Sequence, residues 1–511
     1  MKKSYLVFFF FSLFFIGFNY HSFAKSGIFD RIGIIPEHGL YGTVPEENID
    51  LFTGNLTLKF RDIVLPGPNG FDLIIWRVYN SKILRDRLPG SAWGMQQEPY
   101  SWVGLGWSMH MGRVHNYNSN EPVIEFPDGR WETTYPCKYG NYYITRSFLK
   151  YDKNNYILYF KNGVKWIFGK VKTINYLGHS ESVRVVTKII DSHGYSININ
   201  YFSGRPILSK ITDSMGRVVN FYVDKPNSTI PRLTRIEVKN ANGRWVKYYY
   251  TVEKFSYGGY YKLTKYAPPE LSPCTYEYYS GNYDHYELKK ITTSFGAIIN
   301  YEFSDHVFYF LKQSLETRVV SKKSINGDYW YYSYPSYNNS STGTVEVDGP
   351  EYNMKVTYHA YSSNAPWKIG LIKEKWFTDG SYSEKYYWIN KEISNNHWTV
   401  LSTDMGSIKA PLFDSIFRYR YGDAETNEEY YYLRGLSKYG LPSKIEYYGG
   451  GSGNKLKYYK TYKYVFENNN TFKNKYMLSY ISNESTYSRS NNKIKETITT
   501  YYMTVKVSVE L

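Results

Sequence analysis

Tyr195-Ser-Ile-Asn-Ile-Asn-Tyr201 places Tyr195, Ile197, Ile199 and Tyr201 on one side of an extended chain, with Ser196, Asn198 and Asn200 on the other. Successive side chains of a strand point to opposite faces, so this period-two alternation predicts a half-buried β-strand. Val505-Lys-Val-Ser-Val-Glu-Leu511 alternates in the same way. Between such runs stand glycine turns: Asp128-Gly129, Asn162-Gly163, His193-Gly194, Met215-Gly216, Asn242-Gly243, Phe295-Gly296, Asn326-Gly327 and Asp379-Gly380. Asn-Gly and Asp-Gly favour tight hairpin turns whose twist matches the strands they join.

The turns recur. From Gly129 onward they are 34, 31, 22, 27, 53, 31 and 53 residues apart. If each gap of 53 hides one degraded turn, the unit averages ~28 residues, room for two strands, a turn and a connector. Ile190-Asp191-Ser-His-Gly194, Ile211-Thr-Asp213-Ser-Met-Gly216 and Ile291-Thr-Thr-Ser-Phe-Gly296 each lead into an apolar-aromatic strand. A lone hairpin is marginal in water, so such units must stack into one continuous sheet. Composition agrees: 59 Tyr, 28 Phe and 12 Trp make 19% of the chain aromatic, which suits a pleated, half-buried surface. Long helical periodicities are absent. The expectation is an all-β chain, with a β-rich N-terminal module over 25–135 and stacked β-hairpin repeats over 136–511 that form a continuous curved sheet or partial shell. Gly449 to Lys455 and the Asn468–Asn470 run read as a flexible loop and a turn.

The first residues read as an address. Lys2 and Lys3 precede an apolar run from Tyr5 to Phe18, and Ser22-Phe23-Ala24 offers small residues at −3 and −1 of a cleavage point. That layout is a secretory signal over 1–24, too short in its apolar part for the ~20 residues that span a bilayer. The expected product is exported to the periplasm, the cell surface or the medium, without a transmembrane anchor in the mature chain. Removing 1–24 deletes two lysines and no acid, so the net charge falls from +16 to +14. A basic sum suits acidic partners. The lysines are interleaved with Tyr and Asn, however, as gatekeepers on sticky strands are, and export disfavours nucleic acid. Cys137 and Cys274 are the only cysteines. An oxidising compartment permits a disulfide between them, and two separate thiols are equally compatible with the sequence.

One stretch carries a family resemblance. Asp50-Leu-Phe-Thr53-Gly54-Asn55, Leu65-Pro66-Gly67-Pro68, Arg77-Val-Tyr79-Asn80-Ser81, Gly104-Leu-Gly106-Trp107-Ser108 and Phe126-Pro-Asp128-Gly129-Arg130 follow one another within residues 50–130. In that order they resemble the N-terminal segment of the Rhs, or YD-repeat, family. Asp213-Ser-Met-Gly216-Arg217 resembles the D-x-x-G-R part of a YD repeat, and later repeats are degenerate. The resemblance implies a β-sheet strip that spirals into a shell, as in polymorphic toxins and insecticidal toxin complexes, where the shell encloses a C-terminal effector. The Asp-Pro-x-Gly type of core motif is missing, so no effector activity is implied. The family-motif residues Asp50, Thr53, Gly54, Asn55, Arg77, Tyr79, Asn80, Ser81, Gly104, Gly106, Trp107, Asp128, Gly129 and Arg130 are expected to be structural.

A search for chemistry gives little. His110 and His115 are five apart on what reads as a strand, which sends them to opposite faces. Glu125, Asp128 and Glu132 could be set up as a glycosidase pair, but Asp128 sits in a Pro-Asp-Gly turn and has backbone to cap. No phosphate loop, nucleophile elbow or HExxH occurs. The expectation is a protein with no catalytic, metal or cofactor site, acting as a shell or interaction surface toward a downstream toxin polypeptide or surface glycans. The alternative is a carbohydrate-binding adhesin using exposed Tyr and Trp, the densest clusters being Tyr329-Trp330-Tyr331-Tyr332 and Lys385-Tyr386-Tyr387-Trp388. An enzyme of polysaccharide metabolism and an outer-membrane barrel rank below these.

Overall fold

The computed structural model describes residues 33–501 apart from short internal stretches, the longest being 86–93, 96–100, 393–408 and 433–438. The signal segment, residues 450–454 and the alternating run 505–511 lie outside the described residues.

Ser196–Tyr201 is a strand in which Ile197 and Ile199 are buried while Asn198 and Asn200 face solvent. From His179–Ile190 to Lys493–Ile498, each strand pairs antiparallel with the next in sequence. All eight turn glycines have positive φ. Asp213-Ser-Met-Gly216-Arg217 shows why that motif recurs: the Asp213 carboxylate accepts from the Met215 and Arg217 amides, both at 3.0 Å, and pairs with Arg217 Nε at 2.7 Å. The chain therefore needs φ of 80° at Gly216 to close the turn, a region where L side chains are strained.

The sheet starts as a ring. Strands Arg113–His115, Val123–Glu125, Trp131–Pro136, Tyr142–Thr145, Lys150–Asp152, Ile157–Tyr159, Lys165–Tyr176 and His179–Ile190 pair in succession. The last returns to the first through Arg184↔Val114 and Val185↔Arg113. The lower part of the same strand, Lys188–Ile190, pairs onward with Ser196–Asn198 and launches the long meander.

A second, four-stranded sheet comes from Glu47–Asp50, Asn55–Leu65, Leu73–Asn80 and Trp107–Ser108. Membership therefore changes between Ser108 and Arg113, the later strands belonging to the large sheet. This N-terminal sheet sits inside the curve of the meander. Its loops bond directly to meander backbone: Leu105 N to Tyr261 O at 2.7 Å, Leu233 N to Trp102 O at 2.7 Å and Val320 N to Gly54 O at 3.0 Å. Ile49, Leu56, Leu73 and Trp107 of the module share one apolar cluster with Leu233, Leu263, Ile291 and Val345 of the meander. The hairpins, which could not bury their apolar faces alone, bury them against the module.

The far end of the meander comes back to the ring. Cys137, Ile144 and Phe148 pack with Tyr439, Phe466, Phe472, Tyr476 and Met477 in a second apolar cluster. Leu478 N donates to Lys161 O at 2.6 Å, and Tyr476 Oη to Phe148 O at 2.6 Å. The Asn run expected to be a plain turn caps a short helix, Asn470–Asn474, because the Asn469 side chain accepts from the Thr471 and Phe472 amides. No helix among the described residues is long and apolar enough to cross a membrane.

Candidate functional site

The most unusual chemistry is buried between the module and the meander. A charge taken out of water is tolerated only when paired and hydrogen-bonded. The Asp62 and Arg77 side chains are each 1% exposed and meet at 2.8 and 3.1 Å in a two-point contact. Asp62 sits where the ladder between their strands slips, between Arg61 and Ile63. The meander supplies the rest. Tyr250 Oη donates to Asp62 Oδ2 at 2.8 Å, and Arg77 Nη1 donates to Tyr276 Oη at 2.9 Å. The guanidinium lies over the rings of Phe60, Trp107 and Tyr266, with centroids at 4.8, 4.8 and 4.6 Å. Burial alone would make Arg77 easier to deprotonate, but Asp62 outweighs it and the cation is held firmly charged.

The pattern repeats along the clasp. Glu47 of the module accepts from Tyr301 Oη at 2.6 Å and from Lys323 Nζ at 2.6 Å, with both members of that ion pair fully buried. Lys82 reaches back to Thr317 and to Arg318 O at 3.2 Å. Trp107 Nε1 donates to Tyr278 Oη at 2.7 Å, and Tyr79 Oη accepts from the Leu288 amide at 2.8 Å. Burial raises the Tyr250, Tyr276 and Tyr301 phenols, so they remain neutral hydrogen-bonding groups. Inner-face tyrosines of the meander thus deliver hydroxyls to the module's buried charges.

The motif residues between 50 and 130 make further bonds around this arrangement. Asp50 accepts from the Phe52 and Thr53 amides and pairs with His38 at 2.8 Å. Burial would raise its carboxyl, but His38 and those amides outweigh burial and lower it. Ser81 Oγ bridges Asn55 Oδ1 and the Leu56 amide, while Asn80 Oδ1 accepts from the Lys82 amide. Gly54 allows a close approach to the meander: a Cβ there would meet Val319 at 2.4 Å, and its φ is 70°. Gly104 and Gly106 lie in the loop that bonds Tyr261 and packs on Tyr79. Asp128 caps the Arg130 amide at Gly129, and Arg130 lies over the Phe126 ring at 3.9 Å.

The reading of the two histidines is corrected. His110 and His115 both bond Glu125, at 3.0 and 2.8 Å, and Arg113 Nε lies 2.9 Å from the same carboxylate. Alternation misled because only His115 is on the strand. His110 precedes it, across a bend at Gly112 with φ of 110°. Burial would raise the Glu125 carboxyl, but Arg113 and the imidazoles hold it well below its usual range; burial dominates at His110 and lowers it. His115 stacks on Trp131 at 4.5 Å. This network lies at the strands that close the ring. Of the other acids weighed for a glycosidase pair, Glu132 is bonded to Arg130 at 2.7 Å and to Ser147 at 2.5 Å. Cys137 and Cys274 are free thiols, the first in the second apolar cluster and the second beside Ser294 Oγ at 3.2 Å.

The aromatic clusters split between faces. In Asp328–Ser333, Tyr332 is buried while Tyr329 and Tyr331 stack outside, their centroids 6.4 Å apart. In Tyr382–Glu392, Tyr387 is exposed and Trp388 stacks on Phe413 at 4.3 Å.

No family model matches the chain, and no curated protein matches it. Three solved structures that align with it are distant. The TcdB2-TccC3 structure aligns at 8% identity over 86% of this chain and 27% of that one, with a TM-score of 0.24. The N-terminal domain of the effector protein SpvB from Salmonella typhimurium aligns at 10% identity over 71% of this chain and 99% of that one, with a TM-score of 0.16. A porin-like protein from Bacteroides uniformis aligns at 8% identity over 68% and 91%, with a TM-score of 0.14. The fold described above therefore rests on the strand registers, and this chain spans 27% of the TcdB2-TccC3 chain it aligns with.

Proposed function

We propose that the protein is an exported, non-enzymatic structural shell of the Rhs type, which presents a curved sheet to partner polypeptides. The supporting observation is the clasp. The groups that most resemble catalytic machinery, Asp62 with Arg77 and Glu47 with Lys323, have side chains at most 1% exposed and spend hydrogen bonds joining module to meander. A carboxylate saturated by an arginine, a tyrosine and aromatic faces has no route to a substrate and serves to fix two parts of a chain in register. The last described strand, Lys493–Ile498, is exposed along its whole length. Among the described residues it is laddered on one side only, to Ile481–Ser488. In this reading a partner polypeptide adds strands there, as extended segments add to exposed sheet edges.

The test uses the secreted mature chain. Its mass should show removal of residues 1–24, and it should resist proteolysis across the clasped strands while turning over none of a panel of glycan, ester and peptide substrates. Hydrolysis of a defined substrate that Glu125→Gln abolishes would overturn the non-enzymatic reading, because Glu125 is the buried carboxylate with two imidazoles on it.

A further inference from the structure

Several outer-face lysines of the meander are paired in place, and others, such as Lys210 and Lys265, stand exposed. Lys290 pairs with Glu277 at 2.8 Å, Lys322 with Glu302 at 2.9 Å, Lys355 with Glu346 at 2.5 Å and Lys460 with Glu484 at 2.9 Å, each across neighbouring strands. One patch combines such cations with exposed aromatic rings. On Arg232–Lys239 and Trp245–Lys254, the register sets Arg235 opposite Tyr249, Glu237 opposite Lys247 and Lys239 opposite Trp245. Residues directly opposite on an antiparallel pair share a face, so these six side chains form one surface. That surface points outward: Ile236 and Val238, which alternate with Glu237, are buried in the core, whereas Trp245 and Tyr249 are 39% and 48% exposed.

Its charge is unbalanced. Glu237 is the carboxylate in the patch. It is covered, bonded by Arg235 at 2.9 Å and by Tyr222 Oη at 2.7 Å, and it leaves Lys247 at 3.9 Å. Lys239 has no carboxylate partner among the described residues, and its ammonium lies 5.3 Å from the Trp245 ring centroid. Along the strand the order is aromatic, cation, aromatic, with Trp245 and Tyr249 separated by ~13 Å of extended chain. Aromatic rings flanked by the unpaired Lys239 ammonium and by Lys247, held only at 3.9 Å from Glu237, on a solvent-facing sheet match a chain of sugar rings that carries regularly spaced anions. The apolar faces of the sugars lie on Trp245 and Tyr249, while their carboxylates or sulfates meet Lys239 and Lys247. The more conspicuous Tyr329–Tyr331 pair lacks this charge: its cation, Lys322, is consumed by Glu302, and Asp348 stands opposite Tyr331.

We propose that Trp245, Tyr249, Lys239 and Lys247 form a binding site for an acidic polysaccharide on the outer face of the sheet. The site is independent of the shell reading, since it uses the face turned away from the clasp.

The mature chain would be titrated by calorimetry with polygalacturonate and with heparin, against dextran and a single-stranded oligonucleotide at matched ionic strength. Binding of at least one acidic glycan is expected, without binding of dextran. Affinity should fall at least tenfold in Trp245→Ala/Tyr249→Ala, which keeps the charge, and by a similar factor in Lys239→Ala/Lys247→Ala. Tyr329→Ala/Tyr331→Ala should bind as the unsubstituted protein does, and Trp245→Phe should recover most of the loss. Melting temperatures within about 2 °C of the unsubstituted chain identify variants that remain folded, in line with the small effect of exposed substitutions. Equal binding by the aromatic variant and the unsubstituted protein would overturn the proposal, as would equal or tighter binding of the oligonucleotide. Failure of both acidic glycans to bind would also overturn it and leave the shell reading untouched.

Discussion

The meander contains two kinds of tyrosine neighbourhood. Over Ser196–Phe377, three inner-face tyrosines give their hydroxyls to another part of the chain: Tyr250 to Asp62, Tyr301 to Glu47 and Tyr337 to the Phe52 carbonyl. Over Tyr382–Ile498, the sheet carries its own carboxylates. Glu384 accepts from Tyr382 at 2.7 Å, Tyr386 at 2.5 Å and Arg418 at 2.9 Å, and Glu446 accepts from Lys444 and from Tyr448 at 2.5 Å. There the rings also stack on one another across strands, Tyr447 on Tyr458 at 4.6 Å and Tyr459 on Tyr487 at 4.9 Å. One residue type solves two problems. In the first region it anchors the N-terminal sheet; in the second it serves the sheet's own carboxylates, with Tyr476 and Tyr480 tying the far end to the ring.

Breaking the anchor should cost most. Arg77→Ala leaves Asp62 buried without its cation, and removal of one partner from a buried pair destabilises by about 3–5 kcal/mol. The expected readout is a large drop in the urea midpoint together with early proteolysis of the Ser196–Phe377 strands. A smaller perturbation separates the two regions. Tyr250→Phe removes a hydroxyl from a buried, charged acceptor and should lose ~1.5–3 kcal/mol. Tyr386→Phe leaves the covered Glu384 still bonded by Tyr382 and by the partly exposed Arg418, and about 1 kcal/mol or less is expected. Equal losses in the two variants would erase the distinction.

Acid should act on the clasped side. Burial lowers His359 to about 4, on a strand of the first region, and it also lowers His110 and His306. A histidine depressed in the fold takes up its proton in the unfolded chain first, from ~6.5 downward, so stability is lost as pH falls from there toward about 4. Glu125 and Asp50 have depressed carboxyls and lose their contributions at lower pH still. Denaturant midpoints across this window should decline, and His359→Phe should flatten the decline. A midpoint unchanged between pH 7 and 4 would contradict it.

Much of the fold could be read from local sequence, because alternation and glycine turns are local signals. Ile197 with Ile199, the DxxGR turn at Asp213, and the inward Tyr332 beside the outward Tyr331 follow from period two and turn chemistry alone. The clasp could not be read that way. Its partners are separated by 188 residues for Tyr250 with Asp62, 254 for Tyr301 with Glu47 and 276 for Lys323 with Glu47, and no periodicity spans such distances. One signal was present: Lys323 occupies an inward position of an alternating strand, and a lysine there demands a buried acid. The histidines failed differently. Alternation was extended one bend too far, past Gly112, and so separated two rings that share Glu125.

The central claim is that the N-terminal sheet is the core on which the meander is wound. Hydrogen exchange on the intact mature chain tests it most directly. If the claim holds, amides of Asn55–Leu65 and Leu73–Asn80 exchange only on global unfolding, with the same free energy as Arg232–Lys239 and Gln313–Ile325, while Lys493–Ile498 exchanges far sooner. If the module strands exchange ahead of the meander strands that surround them, the meander stands without its core and the account is wrong.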